Sequence, residues 1–406
     1  MAGRRDETFA LRIAAFFGTL FLVYGVSLPY LPVLLDARGL SAGEIGIVSS
    51  VPLFIRLLLT PAIAVHADRR GDHRSVVIGL SVCGVAAILL LAVVRGFWPI
   101  LLCATLFLVA IQSIMPLIET IAMAGVKRGG HDYGRMRLWG SASFILVTFA
   151  GAGAIDRLGS GAVVWLLTMG AASTLAAAVM LPRPDLGGAQ SGSGNAAVKP
   201  RLDLAAARAL VTAKPVLLFL IAAGAAQSAH AVFYAFGVLQ WRASGIPGSW
   251  IGLLWSIGVI AEIALFWWSK QILATVTAVD LIVIGAAASV VRWTLMAFDP
   301  PLALLVPLQI LHGATYGASH LGAMHFIQAR VSEGQAGTAQ ALYSTVTAGI
   351  GMGLAMMFAG FAFERFGGLS YLGMAALGAV SLAAALALGR AIPRVTMLPE
   401  RSSRRE

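Results

Sequence analysis

Long apolar runs follow one another down the whole chain, near residues 12–35, 45–66, 75–94, 98–124, 135–155, 161–181, 214–239, 250–269, 278–297, 301–328, 338–362 and 369–390. Each approaches the ~20 residues that a helix needs to cross the hydrocarbon core. The pattern predicts twelve spanning helices. The first run is span-length and has no small-residue cleavage site behind it, so it is expected to stay as helix 1. The longest interruption, 182–213, contains "PRPDLGGAQSGSGNAAVKPRLD". Gly, Ser, Pro and Ala with scattered charge predict a flexible linker there. This divides the chain into an N-terminal six-helix bundle (1–181), the linker (182–213), a C-terminal six-helix bundle (214–390) and a basic tail (391–406).

The two halves resemble each other. Laying "EIGIVSSVPLFIRLLL" (44–59) over "WIGLLWSIGVIAEIAL" (250–265) superposes two Ile-Gly pairs and sets Arg56 opposite Glu262. A second match pairs "RLWGSASF" (137–144) with "ALYSTVTA" (341–348). Internal duplication of this kind is common in secondary transporters.

Composition narrows the class. Of 406 residues, 59% are hydrophobic and 12% charged, with a mean hydropathy of +0.86. Those values belong to a polytopic membrane protein. The formal charge of +11 would suit a nucleic-acid partner if it were gathered on one platform. Instead, Lys and Arg number 22 on one set of alternate loops and termini and 5 on the other, with Arg56 and Arg292 inside spans. Positive charge concentrates on the cytoplasmic side, which predicts both termini inside and no nucleic-acid role. There is no phosphate-binding loop, no HExxH and no nucleophile beside an ordered base, so neither an enzyme nor a cofactor is expected.

The few ionisable residues within the spans then carry the chemistry. A charge at the bilayer centre costs roughly 2.5–3.5 kcal/mol on insertion scales, so it is expected to meet a partner or a water-filled cavity. At 1.5 Å per residue, Arg56, Glu262, His312 and His230 all fall near mid-depth. Glu119, in "PLIET", is expected to face Arg137 across the hairpin of helices 4 and 5, either to pin it or to form part of a site. On helix 10, His312, His320 and His325 do not share a face at 100° per residue, so no metal site is expected. The loop "HADRRGDHR" holds Asp68, Arg69, Arg70, Gly71 and Arg74, a set suited to joining two helix ends by charge and capping.

These residues resemble a family. "AVHADRRGDHR" is similar to the inner-loop gating signature of the major facilitator superfamily, with Ala64 replacing its leading glycine. "PLIETIAMAGVKRGGHDYGRMRLWGSASF" resembles the helix 4 to helix 5 stretch of the lactose permease branch, including the spacing of Glu119 and Arg137. "SVVRWTLMAF" and "LQILHGA" resemble the segments that carry its arginine and histidine, here Arg292 and His312. Departures are Thr315 in place of its proton-carrying carboxylate, Phe144 in place of its sugar-stacking tryptophan, and Val259 in place of a sugar-site glutamate. "AAQSAHAVFYAFGVLQW" and "IGLLWSIGVIAEIALF" look like the phenylpropionate permease branch, including His230, Glu262 and Arg292.

The resemblance implies an all-α membrane protein with the major facilitator fold, two six-helix bundles rocking about a central site. The activity it implies is proton-coupled import of a small organic solute, an aromatic carboxylate before a sugar. Arg56 and Arg137 would anchor the carboxylate with Glu119 beside them, and Phe144, Tyr234 and Trp255 would line a pocket for the ring. Glu262, His312, Arg292 and His230 would couple protons, since a change that brings Arg292 or water to Glu262 can load or unload one. Expected partners are the substrate, protons and lipid, with the chain a monomer in a bacterial inner membrane. A sugar symporter, an exporter of drugs or metabolites, and a non-transporting sensor are the rival readings.

Overall fold

The computed structural model describes residues 2–129, 131–182, 212–331 and 333–392. Most of the expected linker and tail, 183–211 and 393–406, therefore lies outside the described residues. The helices are α1 (Ala2–Ala37), α2 (Ala42–Arg70), α3 (His73–Val93), α4 (Phe97–Gly129), α5 (Tyr133–Leu158) and α6 (Ala162–Met180). After 212 come α7 (Lys214–Ala243), α8 (Gly248–Trp267), α9 (Ala278–Met296), α10 (302–330), α11 (333–366) and α12 (Tyr371–Ala391). Among the described residues, ten helical stretches are long and apolar enough to cross a membrane. One of these, Gly337–Ala391, turns at the short 3-10 segment Gly367–Ser370 and so holds most of α11 and all of α12.

Three helices are broken for local reasons. α7 consists of Lys214–Ser228 and Ala231–Ala243, and His230 sits at the break. α10 runs from Leu302 to Ile310, carries Pro307, and widens into a π-turn over Gly313–Ala318 before resuming at Ser319–Arg330. Proline removes an N–H donor from the helix ladder, and π-turns of this sort concentrate where function needs an irregular backbone. α11 has a similar π-turn over Thr345–Gly351. Elsewhere the ends are capped in ordinary ways: Ser41 and Glu44 form a capping box on α2, and Asp72 and Asp132 cap α3 and α5.

Within the first half, α1 packs on α5 and α6, α3 on α4 and α6, and α2 on α4. Within the second, α9 packs on α10 and α12, α7 on α12, and α8 on α10. Between the halves the main packings are α2 on α11, α5 on α8, and α1 on the second part of α7. The duplicated Ile-Gly pair has a physical reason here. A Cβ at Gly46 would stand 2.9 Å from the Cα of Gly360, and one at Gly252 would stand 2.8 Å from the Cα of Phe149. Glycine lets these backbones touch, so the halves close on each other at the face opposite the termini. The α2–α11 seam continues through Phe54 against Gly353 and Leu57 against Gly349. Leu57 lies 14 residues from Gly43, or about 21 Å at 1.5 Å per residue. Beyond that point Leu58 and Leu59 are exposed. The halves are joined from the opposite face to mid-depth.

The loop between α2 and α3 behaves as its punctuation predicts. Gly71 ends α2 at φ +64° with its N–H on the Asp68 carbonyl, and Asp72 accepts from Ser75 N–H at 3.0 Å to start α3. Asp68 pairs with His73 at 2.9 Å, and Arg74 reaches the Val179 carbonyl at the end of α6 at 2.5 Å. Arg69 and Arg70 are exposed. Cys103 is buried in the core, while Cys83 faces outward.

A candidate transport site at mid-depth

Two polar clusters face each other across the halves. In the second half the centre is Arg292 on α9, which is fully buried. Its guanidinium donates to His312 Nδ1 at 3.1 Å, to Thr315 Oγ1 at 3.0 Å and to Gln309 Oε1 at 2.9 Å. It also lies 4.3 Å from the Trp293 ring centroid and 5.2 Å from that of Phe233. All of these partners are uncharged when His312 is neutral. The nearest acid in the chain of contacts is Glu262 on α8, whose Oε2 is 3.8 Å from His312 Nε2.

This geometry follows from small residues. A Cβ at Gly313 would stand 3.0 Å from the Ala261 carbonyl oxygen, so α8 and α10 approach as closely as their backbones permit. Glu262 then lies over α10 between His312 and Gly317, its side chain 24% exposed. His230, at the break in α7, places Nδ1 at 3.1 Å from the Ala226 carbonyl and Nε2 at 3.1 Å from Thr315 Oγ1. The ring thereby satisfies a carbonyl that the broken turn leaves spare. With Nδ1 donating to that carbonyl, Nε2 accepts from the Thr315 hydroxyl, and the hydroxyl oxygen accepts from Arg292.

The structure therefore gathers Glu262, His312, Arg292 and His230, with one change from expectation. His312, rather than Arg292, is the group that meets Glu262. A second change concerns helix 10. The π-turn rotates less per residue than an α-helix, so His312, Tyr316 and His320 stack in sequence, with centroids 5.4 and 6.1 Å apart. His320 shares that face after all and bonds Tyr343 at 3.0 Å. Among the described residues no group of three or more His, Cys, Asp or Glu is placed to hold a metal ion.

In the first half, Glu119 and Arg137 do not form the direct ion pair that the hairpin suggested. The Tyr133 hydroxyl donates to Glu119 Oε1 at 3.3 Å, and Arg137 lies over the Phe21 ring at 4.0 Å, held by cation–π attraction. Tyr133 therefore lies beside both charges, and Phe21 carries the Arg137 guanidinium on its ring. Arg56 donates to Gln112 on α4. The Tyr24 hydroxyl, bonded to the Ile111 carbonyl at 3.3 Å, sits in the field of Arg56, Arg137 and Glu119 together. Arg137 also acts electrostatically on Glu262 across the interface of the halves. Of the ring residues, Tyr234 stacks on His230 at 5.6 Å and stays half-buried, whereas Trp255 is buried against Phe233 at 4.8 Å. Phe144 is half-buried on α5.

Several polar residues of these clusters were not singled out from sequence: Tyr24, Gln112, Tyr133 and Gln309. A signal existed for two of them. Gln112 precedes Glu119 by seven residues and Gln309 precedes His312 by three, each on the face of a candidate site residue.

Comparison with known proteins agrees with this architecture. The MFS_1-like family model matches residues 10–372. The chain belongs to this family of the major facilitator superfamily. It is 32% identical over 355 residues to the "Probable 3-phenylpropionic acid transporter" of Escherichia coli (strain K12), covering 86% of this chain and 90% of that one. It is 26% identical over 373 residues to the maltose permease of Geobacillus stearothermophilus, covering 90% and 89%. Among solved structures, the nucleoside transporter NupG superposes with a TM-score of 0.82 at 20% identity, covering 94% of this chain and 99% of that one. A bacterial homologue of the human lysosomal transporter Spinster, in an inward-facing and unoccupied conformation, gives 0.72 at 16%, covering 95% and 97%. This facilitator is thus a multi-pass membrane transporter of small molecules and not an enzyme.

Proposed function

We propose that the protein is a proton-coupled importer of a small aromatic carboxylate, working as a monomer in a bacterial inner membrane with both termini cytoplasmic. The observation that carries this reading is the charge balance at mid-depth. Among the described residues three cations, Arg56, Arg137 and Arg292, stand with two acids, Glu119 and Glu262, and none of the three arginines is joined to an acid by a direct pair. With both acids ionised one negative charge is wanting, and a monocarboxylate supplies it. A neutral sugar or nucleoside does not.

The relative from Escherichia coli, a probable 3-phenylpropionic acid transporter, supports the choice of carboxylate. With the positive face cytoplasmic, the close glycine approaches between the halves lie on the outer side, which fits an inward-facing state of an alternating-access cycle. Arg56 and Arg137 are the groups for the carboxylate, since guanidinium pairs with it through two parallel bonds. Tyr234 and Phe144 offer rings to the aromatic part, with Trp255 as a buried support behind Tyr234. Glu262 exchanges the proton. Ionised, it faces the His312 Nε2–H at 3.8 Å with the field of Arg292 behind it, and protonated it needs no counter-charge. Asp68, Arg69, Arg70, Gly71 and Arg74 form the inner gating loop.

The test is external pH in a lightly buffered, de-energised suspension of cells expressing the protein. 3-Phenylpropionate should make the medium more alkaline, and maltose or lactose should not. A response to either sugar with none to the acid would move the substrate to the sugar class. Acidification on adding substrate would mark an exporter or antiporter.

A further inference from the structure

The face that joins the halves carries the same joint twice. Asp156, in the last turn of α5, accepts the backbone N–H of Gly248 at the start of α8 at 2.8 Å, and Arg242 holds its other oxygen at 3.3 Å. Glu364, in the last turn of α11, accepts the backbone N–H of Gly43 at the start of α2, also at 2.8 Å. α5 and α2 belong to the first half, and α8 and α11 to the second. Each half therefore gives one carboxylate and receives one.

The helix starts are built for this. α8 begins at Pro247 with no side-chain cap of its own, so its first-turn donors are left open to Asp156. On α2 the Ser41 hydroxyl takes only the Glu44 N–H, which leaves that of Gly43 for Glu364. Both receiving residues are glycine, and both must be small. A Cβ at Gly43 would stand 2.8 Å from Glu364 Oε2, and one at Gly248 would run into the Asp156 carboxylate. A carboxylate at a helix N-terminus is also favoured by the helix dipole.

We propose that Asp156 and Glu364 are a crossed pair of latches that hold this face shut, and that both must release together whenever the site opens to that side. Each latch spans the two halves, so neither bond survives their separation there. This inference concerns the gate alone and holds for any substrate and any direction of flux.

The experiment measures distances across the gate by double electron–electron resonance, on full-length protein in lipid nanodiscs without substrate. Spin labels go at Arg95→Cys, in the α3–α4 loop, and Phe298→Cys, after α9, with Cys83→Ser and Cys103→Ser as background. Both label sites are exposed and lie away from the latches. Loss of a helix cap or of a dipole-paired carboxylate typically changes an equilibrium by roughly three- to tenfold. Asp156→Ala and Glu364→Ala should each raise the ratio of open to shut by that factor, and the double variant by about the product. Gly43→Ala and Gly248→Ala, which keep both acids and block their seats, should shift the ratio in the same direction. They also serve where an acid variant fails to fold. An unchanged distribution in the double acid variant, or in the paired glycine variants, overturns the proposal.

Discussion

The guanidinium of Arg292 donates to Nδ1 of His312 at 3.1 Å, and that single contact sets the protonation of the histidine. Arginine has no acceptor, so Nδ1 must offer its lone pair, and the ring proton of neutral His312 sits on Nε2. Nε2 is the atom that faces Glu262 at 3.8 Å. A proton added to His312 would set one N–H against another beside a buried cation. His312 therefore turns its N–H toward Glu262, and in the proposed coupling Glu262 is the group left to take and give a proton.

Glu262→Gln is expected to abolish proton-driven accumulation while leaving exchange of substrate across the membrane. The amide holds the position without a titrating group. Parallel assays of net uptake and of counterflow in proteoliposomes check it; loss of both, at normal expression, would make Glu262 a binding or structural residue.

At His312 the acceptor matters more than the ring. His312→Gln still offers Arg292 a carbonyl and should keep accumulation at a reduced rate. His312→Ala leaves a buried donor unmet, which costs about 1–3 kcal/mol. Thermal unfolding of the two variants beside uptake rates separates these outcomes, and equal stability of both would contradict the assignment.

Arg137 is free of a direct acid partner, so its charge is available to substrate. Arg137→Gln should raise KM for the carboxylate about 10- to 100-fold, the worth of a hydrogen bond to a charged group. KM for an uncharged amide analogue of the same ring should change little. An equal rise for both ligands would assign Arg137 to packing against Phe21.

Gly313→Val should force α8 from α10, because even a Cβ there meets the Ala261 carbonyl at 3.0 Å. Glu262 would then lose His312. Coupling is expected to fail while binding, measured by calorimetry with the purified protein, remains within a fewfold. Unimpaired accumulation would show that the close approach is dispensable.

Much of this protein follows from its sequence alone, because the bilayer restricts what a chain can do. Backbone polar groups have no water to bond there, so long apolar runs must be helices. Charges are too costly to be placed idly. The helical class and the intramembrane residues Glu262, His312, Arg292 and His230 were legible on that basis, and the family through the resemblance of its motifs. Even the repeated Ile-Gly pair could be seen, though not its purpose, since a closest approach between backbones leaves no trace in hydropathy.

What the sequence could not determine was rotation about helix axes and the local breaks that reset it. Glu119 and Arg137 have the spacing of a pair, yet Tyr133 comes between them and the Phe21 ring takes the guanidinium. An even 100° per residue separates His320 from His312, and the π-turn between them brings both rings to one face. The gate latches join acids and glycines 92 and 321 residues apart. Such contacts depend on how two bundles meet in space, and only the tertiary structure, by bringing their helix ends within hydrogen-bonding distance, decided them.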